Sequence, residues 1–302
     1  MVVWGNRALS RRAPGVSAEN AYQSESYMAA LQEVREGLCR GEGIIVITGQ
    51  SGTGKTLLCR GLAEMGDTRT FTCFVVDPYD SAEGLLLQIL GDFGVVSPSA
   101  RLTRDEAIRV LQRFSASLVP LRSRAVVIID EAHRLQPEVA DVVRVLSNFE
   151  AGGQRLLQVV LAGQPELDRM LERPDLQRLA QRVARRVELA PLTPREIAAY
   201  VEHRLSFAGG NGASWEEHVV LESGPGYNNV VTVQVPTARA AALSDLWFTT
   251  PAIRALERVS NGVPATINAV FDQAVRLAAE RQTTQIDRAL IREAGKRVVP
   301  RI

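Results

Sequence analysis

Gly49-Gln-Ser-Gly-Thr-Gly-Lys-Thr56 follows a buried apolar run, Gly43-Ile-Ile-Val-Ile-Thr48, and precedes a helical period, an order that points to an α/β fold. The octapeptide fits GxxxxGK[ST], a phosphate-cradling loop between a strand and a helix. Its glycines permit tight turns, so successive backbone N–H groups can face a β-phosphate. The helix behind it aims the positive end of its dipole at the same anion. Gly49, Gln50, Ser51, Gly52, Thr53, Gly54, Lys55 and Thr56 are the candidate ATP-binding residues. Lys55 would bring a point charge to the β- and γ-phosphates, and the Thr56 hydroxyl a ligand for Mg²⁺. A Gly-rich turn that binds nothing is the competing reading. Composition speaks against it: of 35 basic side chains only two are lysines, Lys55 and Lys296. Elsewhere this sequence uses Arg, so the lysine at 55 stands out.

The partner element is Val126-Val-Ile-Ile-Asp-Glu131, which places Asp130 74 residues beyond Thr56. An acid at the C-terminal end of a buried strand lies at the sheet edge where ligands bind. Asp130 is expected to hold Mg²⁺ through water, and Glu131 to orient and polarise the attacking water. His133, next in Asp130-Glu-Ala-His133, reads as a helix-start residue. A third apolar run, Leu156–Gly163, ends at Gln164. If that strand inserts between the other two, Gln164 faces the γ-phosphate; a plain strand-end glutamine is the alternative.

Around these motifs, apolar runs alternate with helical periods. The strands expected are 43–48, 71–76, 125–130, 156–163 and 187–192, with helices at 26–39, 80–93, 103–119 and 137–150. Continuous apolar strands separated by helices mean a parallel sheet covered on both faces. Thr103-x-x-Glu106 and Thr193-Pro-Arg-Glu196 have the capping-box pattern. The second opens a helical region with helices expected at 194–207, 251–260, 264–281 and 286–297. Residues 209–247 interrupt it with HVVLES and NVVTVQV around Gly224-Pro-Gly-Tyr-Asn-Asn229, a β-hairpin pattern. That hairpin is either a partner-docking element or a tolerated insertion. The expected divisions are an arm and linker helix (1–41), a nucleotide-binding domain (42–192) and a helical lid (193–302) with the insertion 209–247.

Bulk properties bound the remaining choices. With 302 residues, 46% hydrophobic and a net charge of +1, the chain can build packed cores and is not globally disordered. No apolar run reaches the ~18–20 residues needed to cross a bilayer. The first 21 residues lack a signal-peptide stretch, so a cytoplasmic location is expected. Three cysteines without CxxC spacing fit a reducing compartment and no disulfide frame. Residues 174–186 read as an amphipathic helix with Arg178, Arg182 and Arg185 on one face and Arg186 beside them. Such a row is either a solvated face or a source of an arginine for a neighbouring subunit's nucleotide.

Taken in order, these pieces resemble the AAA+ ATPases of the ExeA/GspA type, named for a general secretion pathway component. The resemblance is carried by Gly49–Thr56, Ile129-Asp-Glu-Ala132, Leu146-Ser-Asn-Phe-Glu150 and Leu157-Gln-Val-Val-Leu-Ala-Gly-Gln-Pro-Glu-Leu167. Leu179-Ala-Gln-Arg182, Leu189-Ala-Pro-Leu192, Gly262-Val-Pro264 and Ile267-Asn268 extend it. TniB and IstB transposition helpers are similar at a greater distance. The resemblance implies a parallel sheet of order 5-1-4-3-2, a helical lid, and nucleotide between subunits of a ring or filament. It also implies a sensor role for Gln164 and an arginine-finger role for Arg182, with Arg185 and Arg186 as rivals. Where the family carries a lid arginine after Gly-Val-Pro, this chain has Ala265.

The function so implied is ATP hydrolysis used to remodel or position a protein partner in secretion or envelope assembly. Peripheral attachment to the inner membrane would come through that partner. A DNA-transaction helper and a nucleotide-gated scaffold with little turnover are the alternatives.

Overall fold

The computed structural model describes residues 22–64, 69–77, 81–97, 99–210, 214–224, 227–237 and 246–298, the side chains of 206–237 excepted. The expected N-terminal arm lies outside these residues. The chain divides into two compact units, one over Glu25–Ala190 and one over Pro191–Ile302 joined by residues 22–24.

In the first unit five parallel strands form the sheet: β1 (Ile44–Thr48), β2 (Thr70–Val75), β3 (Arg124–Ile129), β4 (Leu157–Gly163) and β5 (Val183–Glu188). Their order is β2-β3-β4-β1-β5. Read from the other edge this is 5-1-4-3-2, the order the resemblance implies. Strand β4 sits between β1 and β3, pairing Ile44 with Val159 and Ile129 with Leu161. Ile44 to Ile47 are fully buried because alternate residues enter two separate cores. Ile44, Val46, Val127, Ile129, Val159 and Leu161 meet helices α3 (Ala82–Asp92), α4 (Arg104–Leu118) and α5 (Pro137–Leu146). Ile45, Ile47, Val126, Ile128, Val160 and Ala162 meet α1 (Glu25–Cys39) and α2 (Lys55–Glu64). Two covered faces explain why these strands read as unbroken apolar runs.

Helix starts obey local chemistry. Thr103 Oγ1 accepts from Glu106 N at 3.4 Å while Glu106 Oε2 accepts from Thr103 N at 2.9 Å. This closed capping box is worth about 1 kcal/mol to α4. Thr193 and Glu196 repeat it, with Thr193 N donating to Glu196 Oε2 at 2.8 Å, and open α8 (Pro194–Gly210).

The expected helix over 174–186 and strand over 187–192 are both corrected. Helical structure there is confined to α7 (Gln177–Ala180), following the short α6 (Glu166–Leu171), and the chain then extends as β5. Pairing with the free edge of β1 wins over helical periodicity, because Val183 and Val187 find buried faces there. A bulge between Ile44 and Ile45 sends Val183 to one core and Val187 to the other. The arginines are thereby scattered instead of aligned. Arg185 donates from Nε and Nη2 to the Glu42 carboxylate at 2.8 and 2.6 Å, and Arg186 is paired with Asp168. This fork on Glu42 holds its carboxyl below the usual carboxylate range.

The second unit packs α8, α9 (Thr250–Ser260), α10 (Pro264–Glu280) and α11 (Arg288–Val298) around one core. The apolar face expected on α10, Ile267, Val270, Phe271, Ala274, Leu277 and Ala278, is the buried face. Strands β6 (Ser214–Gly224) and β7 (Tyr227–Thr237) pair antiparallel from Ser214–Thr237 to Gly224–Tyr227, forming the expected hairpin. Gly262 ties this unit together. Its φ is +76°, and an added Cβ would lie 2.2 Å from Leu192 O, while its own carbonyl accepts from Leu192 N at 2.8 Å. Gly262→Ala should therefore cost more than the ~1–3 kcal/mol of backbone strain alone. A urea unfolding midpoint equal to wild type would contradict this.

Candidate nucleotide site

The loop after β1 is shaped by its glycines. A Cβ on Gly49 would stand 2.6 Å from Leu189 O, so no other residue fits there without movement. Gly52 and Gly54 have φ of +82° and +103°, the left-handed region that L side chains avoid. Gln50 and Ser51 are exposed and Thr53 is buried, its hydroxyl donating to Gln50 O at 2.9 Å. Helix α2 begins at Lys55, so its first-turn N–H groups, which lack intrahelical acceptors, open on this loop.

Lys55 is 5% exposed, and its ammonium donates to Gly49 O at 2.8 Å and Gln50 O at 2.9 Å. Burial pulls its pKa below the ordinary lysine value, while Glu131 and Asp130 nearby act in the opposite direction. An arriving polyanion would favour the charged form further. Thr56 Oγ1 donates to Asp130 Oδ2 at 2.5 Å, joining the loop to the end of β3. Asp130 is 1% exposed and accepts from the Glu131 N–H through Oδ1 at 2.9 Å. Hydroxyl and carboxylate side by side are the hard oxygen donors that Mg²⁺ takes. Loop amides, a buried cation and this oxygen pair thus fit ATP·Mg²⁺.

Glu131 follows with φ +50° and ψ +31°, at the start of the 3₁₀ turn Ala132–Arg134. A non-glycine residue there costs about 1–2 kcal/mol, which the surrounding packing must offset. Its carboxylate Oε2 lies 3.6 Å from His133 Nε2. On the ring's other side, Gln164 N donates to His133 Nδ1 at 3.4 Å. Gln164, half-buried at the end of β4, is thus drawn to the same corner as Glu131. Gly163 permits that approach, since a Cβ on it would be 3.1 Å from His133 N.

Of the candidate residues, Gly49 to Thr56, Asp130, Glu131 and Gln164 therefore converge on the carboxyl ends of β1, β3 and β4. Arg182 stands apart, exposed in the turn between α7 and β5, its N–H donating to Leu179 O at 2.9 Å. Among the described residues its guanidinium makes no ion pair, unlike Arg185 and Arg186. Ala265 is exposed in the first turn of α10. His133 lies in the 3₁₀ turn Ala132–Arg134, in keeping with the helix-start reading, but its contacts with Glu131 and Gln164 were not foreseen. The Asp-Glu-Ala-His spacing could have flagged the Glu131 contact, but a partner 31 residues away, Gln164, is not visible in a string.

Comparison with known proteins agrees with this geometry. A family model described as an AAA domain matches residues 38–171. General secretion pathway protein A of Aeromonas hydrophila is 33% identical over 270 residues, which are 88% of this chain and 42% of that protein. The chain thus spans less than half the length of that relative. Among solved structures, Cdc6p from Pyrobaculum aerophilum superposes with a TM-score of 0.63 at 14% identity, covering 100% of this chain and 73% of that one. The Aeropyrum pernix ORC2 protein, solved as ADPNP–ADP complexes, gives 0.56 at 15% identity, covering 97% and 72%. At such identities these two speak to the fold alone.

Proposed function

We propose that this chain, which matches an AAA domain over residues 38–171 and is similar to general secretion pathway protein A, is a Mg²⁺-dependent ATPase. The observation that carries the reading is the convergence of Lys55, Thr56, Asp130 and Glu131 at one sheet edge. In this reading the Gly49–Thr56 amides and Lys55 bind the phosphates, and Thr56 and Asp130 hold the metal, Asp130 through water. Mg²⁺, when bound, neutralises charge developing on the phosphate oxygens. Glu131 takes up the proton of the attacking water, and Gln164 contacts the γ-phosphate. The proposed divisions are an arm and linker helix over 1–41, a nucleotide domain over 42–192 and a lid over 193–302 with the insertion 209–247.

The turnover would serve to remodel or position a protein partner of a secretion or envelope system, as a homo-oligomeric ring or filament. Similarity to the secretion pathway protein supports that assignment. None of the described helices is long and apolar enough to cross a membrane. In this reading the protein works in the cytoplasm, and attachment to the inner membrane runs through the partner. A DNA-transaction role is the second reading, favoured by Arg178 and Arg182, both exposed and without an ion pair among the described residues. Phosphate contacts of that kind are salt-dependent. Steady-state hydrolysis with Mg²⁺ or EDTA, with and without duplex DNA, tests both. Mg²⁺-dependent turnover indifferent to DNA is expected; strong DNA stimulation favours the second reading, and negligible turnover a nucleotide-gated scaffold.

Arg182 is proposed as the residue presented in trans. Arg182→Ala should cut turnover while leaving ATP affinity of the monomer within about twofold. Mixing it with Glu131→Gln protein should restore part of the activity, because some mixed interfaces hold one intact composite site. Co-assembly without recovery would remove Arg182 from that role.

A further inference from the structure

We infer that His133 is a positioning residue for the hydrolytic step, its ring anchored by the Gln164 backbone and its far nitrogen steering the Glu131 carboxylate. The inference rests on the ATPase reading above and adds to it a residue outside the metal, phosphate and sensor positions. Nδ1 accepts the Gln164 N–H, so the neutral ring carries its proton on Nε2, the nitrogen 3.6 Å from Glu131 Oε2. One tautomer is thereby selected, and it is the one whose N–H faces the carboxylate.

Three further observations make the ring a support instead of a passing neighbour. The imidazole is 15% exposed whereas the Glu131 side chain is 35% exposed, so the more buried group lies against the more exposed one. A Cβ added to Gly163 would lie 3.1 Å from His133 N, so only a glycine lets the end of β4 run this close to the 3₁₀ turn. Glu131 itself sits in the left-handed region, where its backbone turns sharply away from β3. Among the described residues no hydrogen bond or ion pair besides the approach of His133 constrains the Glu131 carboxylate, which is otherwise free to sample several rotamers. The His133 N–H reduces that set. At 3.6 Å the contact is an electrostatic approach and not a hydrogen bond, so the carboxylate keeps its capacity to accept a proton from water. Catalytic geometry is sensitive at this scale, since a misplacement of 1 Å can cost 10²-fold in rate.

The substitutions that separate the two ring nitrogens give the test. His133→Ala should lower kcat by roughly 10- to 100-fold while KM for ATP and the dissociation constant of a fluorescent ATP analogue stay within about twofold. His133→Gln, whose amide N–H reaches toward the Nε2 position, should recover much of that loss. His133→Asn, whose oxygen replaces only Nδ1, should remain as slow as the alanine variant. In a Glu131→Gln background His133→Ala should bring no further loss, because the group it steers is already gone. Thermal unfolding and analogue binding report whether each variant folds, and the Gln and Asn variants keep the comparison open should alanine fail to fold. Undiminished kcat in His133→Ala, affinity falling in step with kcat, or rescue by Asn and not Gln would each overturn the inference while wild-type turnover is normal. A wild-type protein without turnover would overturn the ATPase reading together with it.

Discussion

Glu131→Gln should bring ATP turnover down by roughly 10²- to 10⁴-fold while ATP remains bound, the range expected for removing a general base. The substitution is nearly isosteric, so the strained backbone at φ +50° and the turn it opens are preserved. The bond between Thr56 and Asp130, 2.5 Å long, involves neither carboxylate oxygen of Glu131, so the metal-holding pair should be untouched. Lost instead is proton affinity: an amide cannot take a proton from water. A single-turnover assay with radiolabelled ATP, set beside equilibrium binding, reads both quantities. Turnover at the wild-type rate would remove Glu131 from the chemistry, and lost binding would mean that it helps hold nucleotide.

Lys55→Ala should weaken ATP binding by at least about 10²-fold. Its ammonium is the buried positive charge of the loop, already poised by two backbone carbonyls. In the proposed complex it exchanges those partners for phosphate oxygens, and a charge-assisted contact is worth about 1.5–3 kcal/mol, or roughly 10- to 100-fold each. Two such contacts account for the expected loss. Ligand binding raises apparent stability by RT ln(1 + [L]/Kd), so the melting temperature gives a second readout. Wild-type protein should gain stability with millimolar ATP and Mg²⁺, and Lys55→Ala should gain almost none. An equal thermal shift in both proteins would show that the loop amides alone suffice. Lys55→Arg is informative as well, because a planar fork does not replace a compact ammonium in a loop closed this tightly.

The two predictions draw on residues legible in the sequence, and the reason is locality. A phosphate loop needs its glycines, lysine and hydroxyl within eight consecutive positions, so Gly49 to Thr56 can be read as a unit. Asp130 and Glu131 announce themselves by ending a fully apolar strand. The capping boxes at Thr103–Glu106 and Thr193–Glu196 are closed by side chains three residues apart. The apolar face of α10 follows from helical period alone. Parallel pairing followed from strands apolar on both faces, since only a doubly covered sheet buries both sets of side chains. The strand order came from the resemblance of the motifs in sequence, and the fold bears it out.

Residues 174–188 were decided elsewhere in the chain. Taken alone, Leu176, Leu179, Ala180 and Val183 satisfy a helical period, and nothing within the segment opposes it. What extends the chain is the unpaired edge of β1, about 140 residues earlier, whose backbone groups accept Val183–Glu188 as a fifth strand. That pairing turns Arg185 onto Glu42, 143 residues away, and leaves Arg182 in a turn with an unpaired guanidinium among the described residues. His133 is the same case on a smaller scale: its identity was plain, but its meaning depends on a strand end and a carboxylate brought to either side of one ring. The phosphate loop, the acidic strand end, the helix caps and the apolar faces follow from residue order alone, because each is a short-range pattern of side-chain chemistry. Which arginines are already paired, where the fifth strand lies and what His133 touches depend on groups far apart in the chain that meet only once the sheet has assembled.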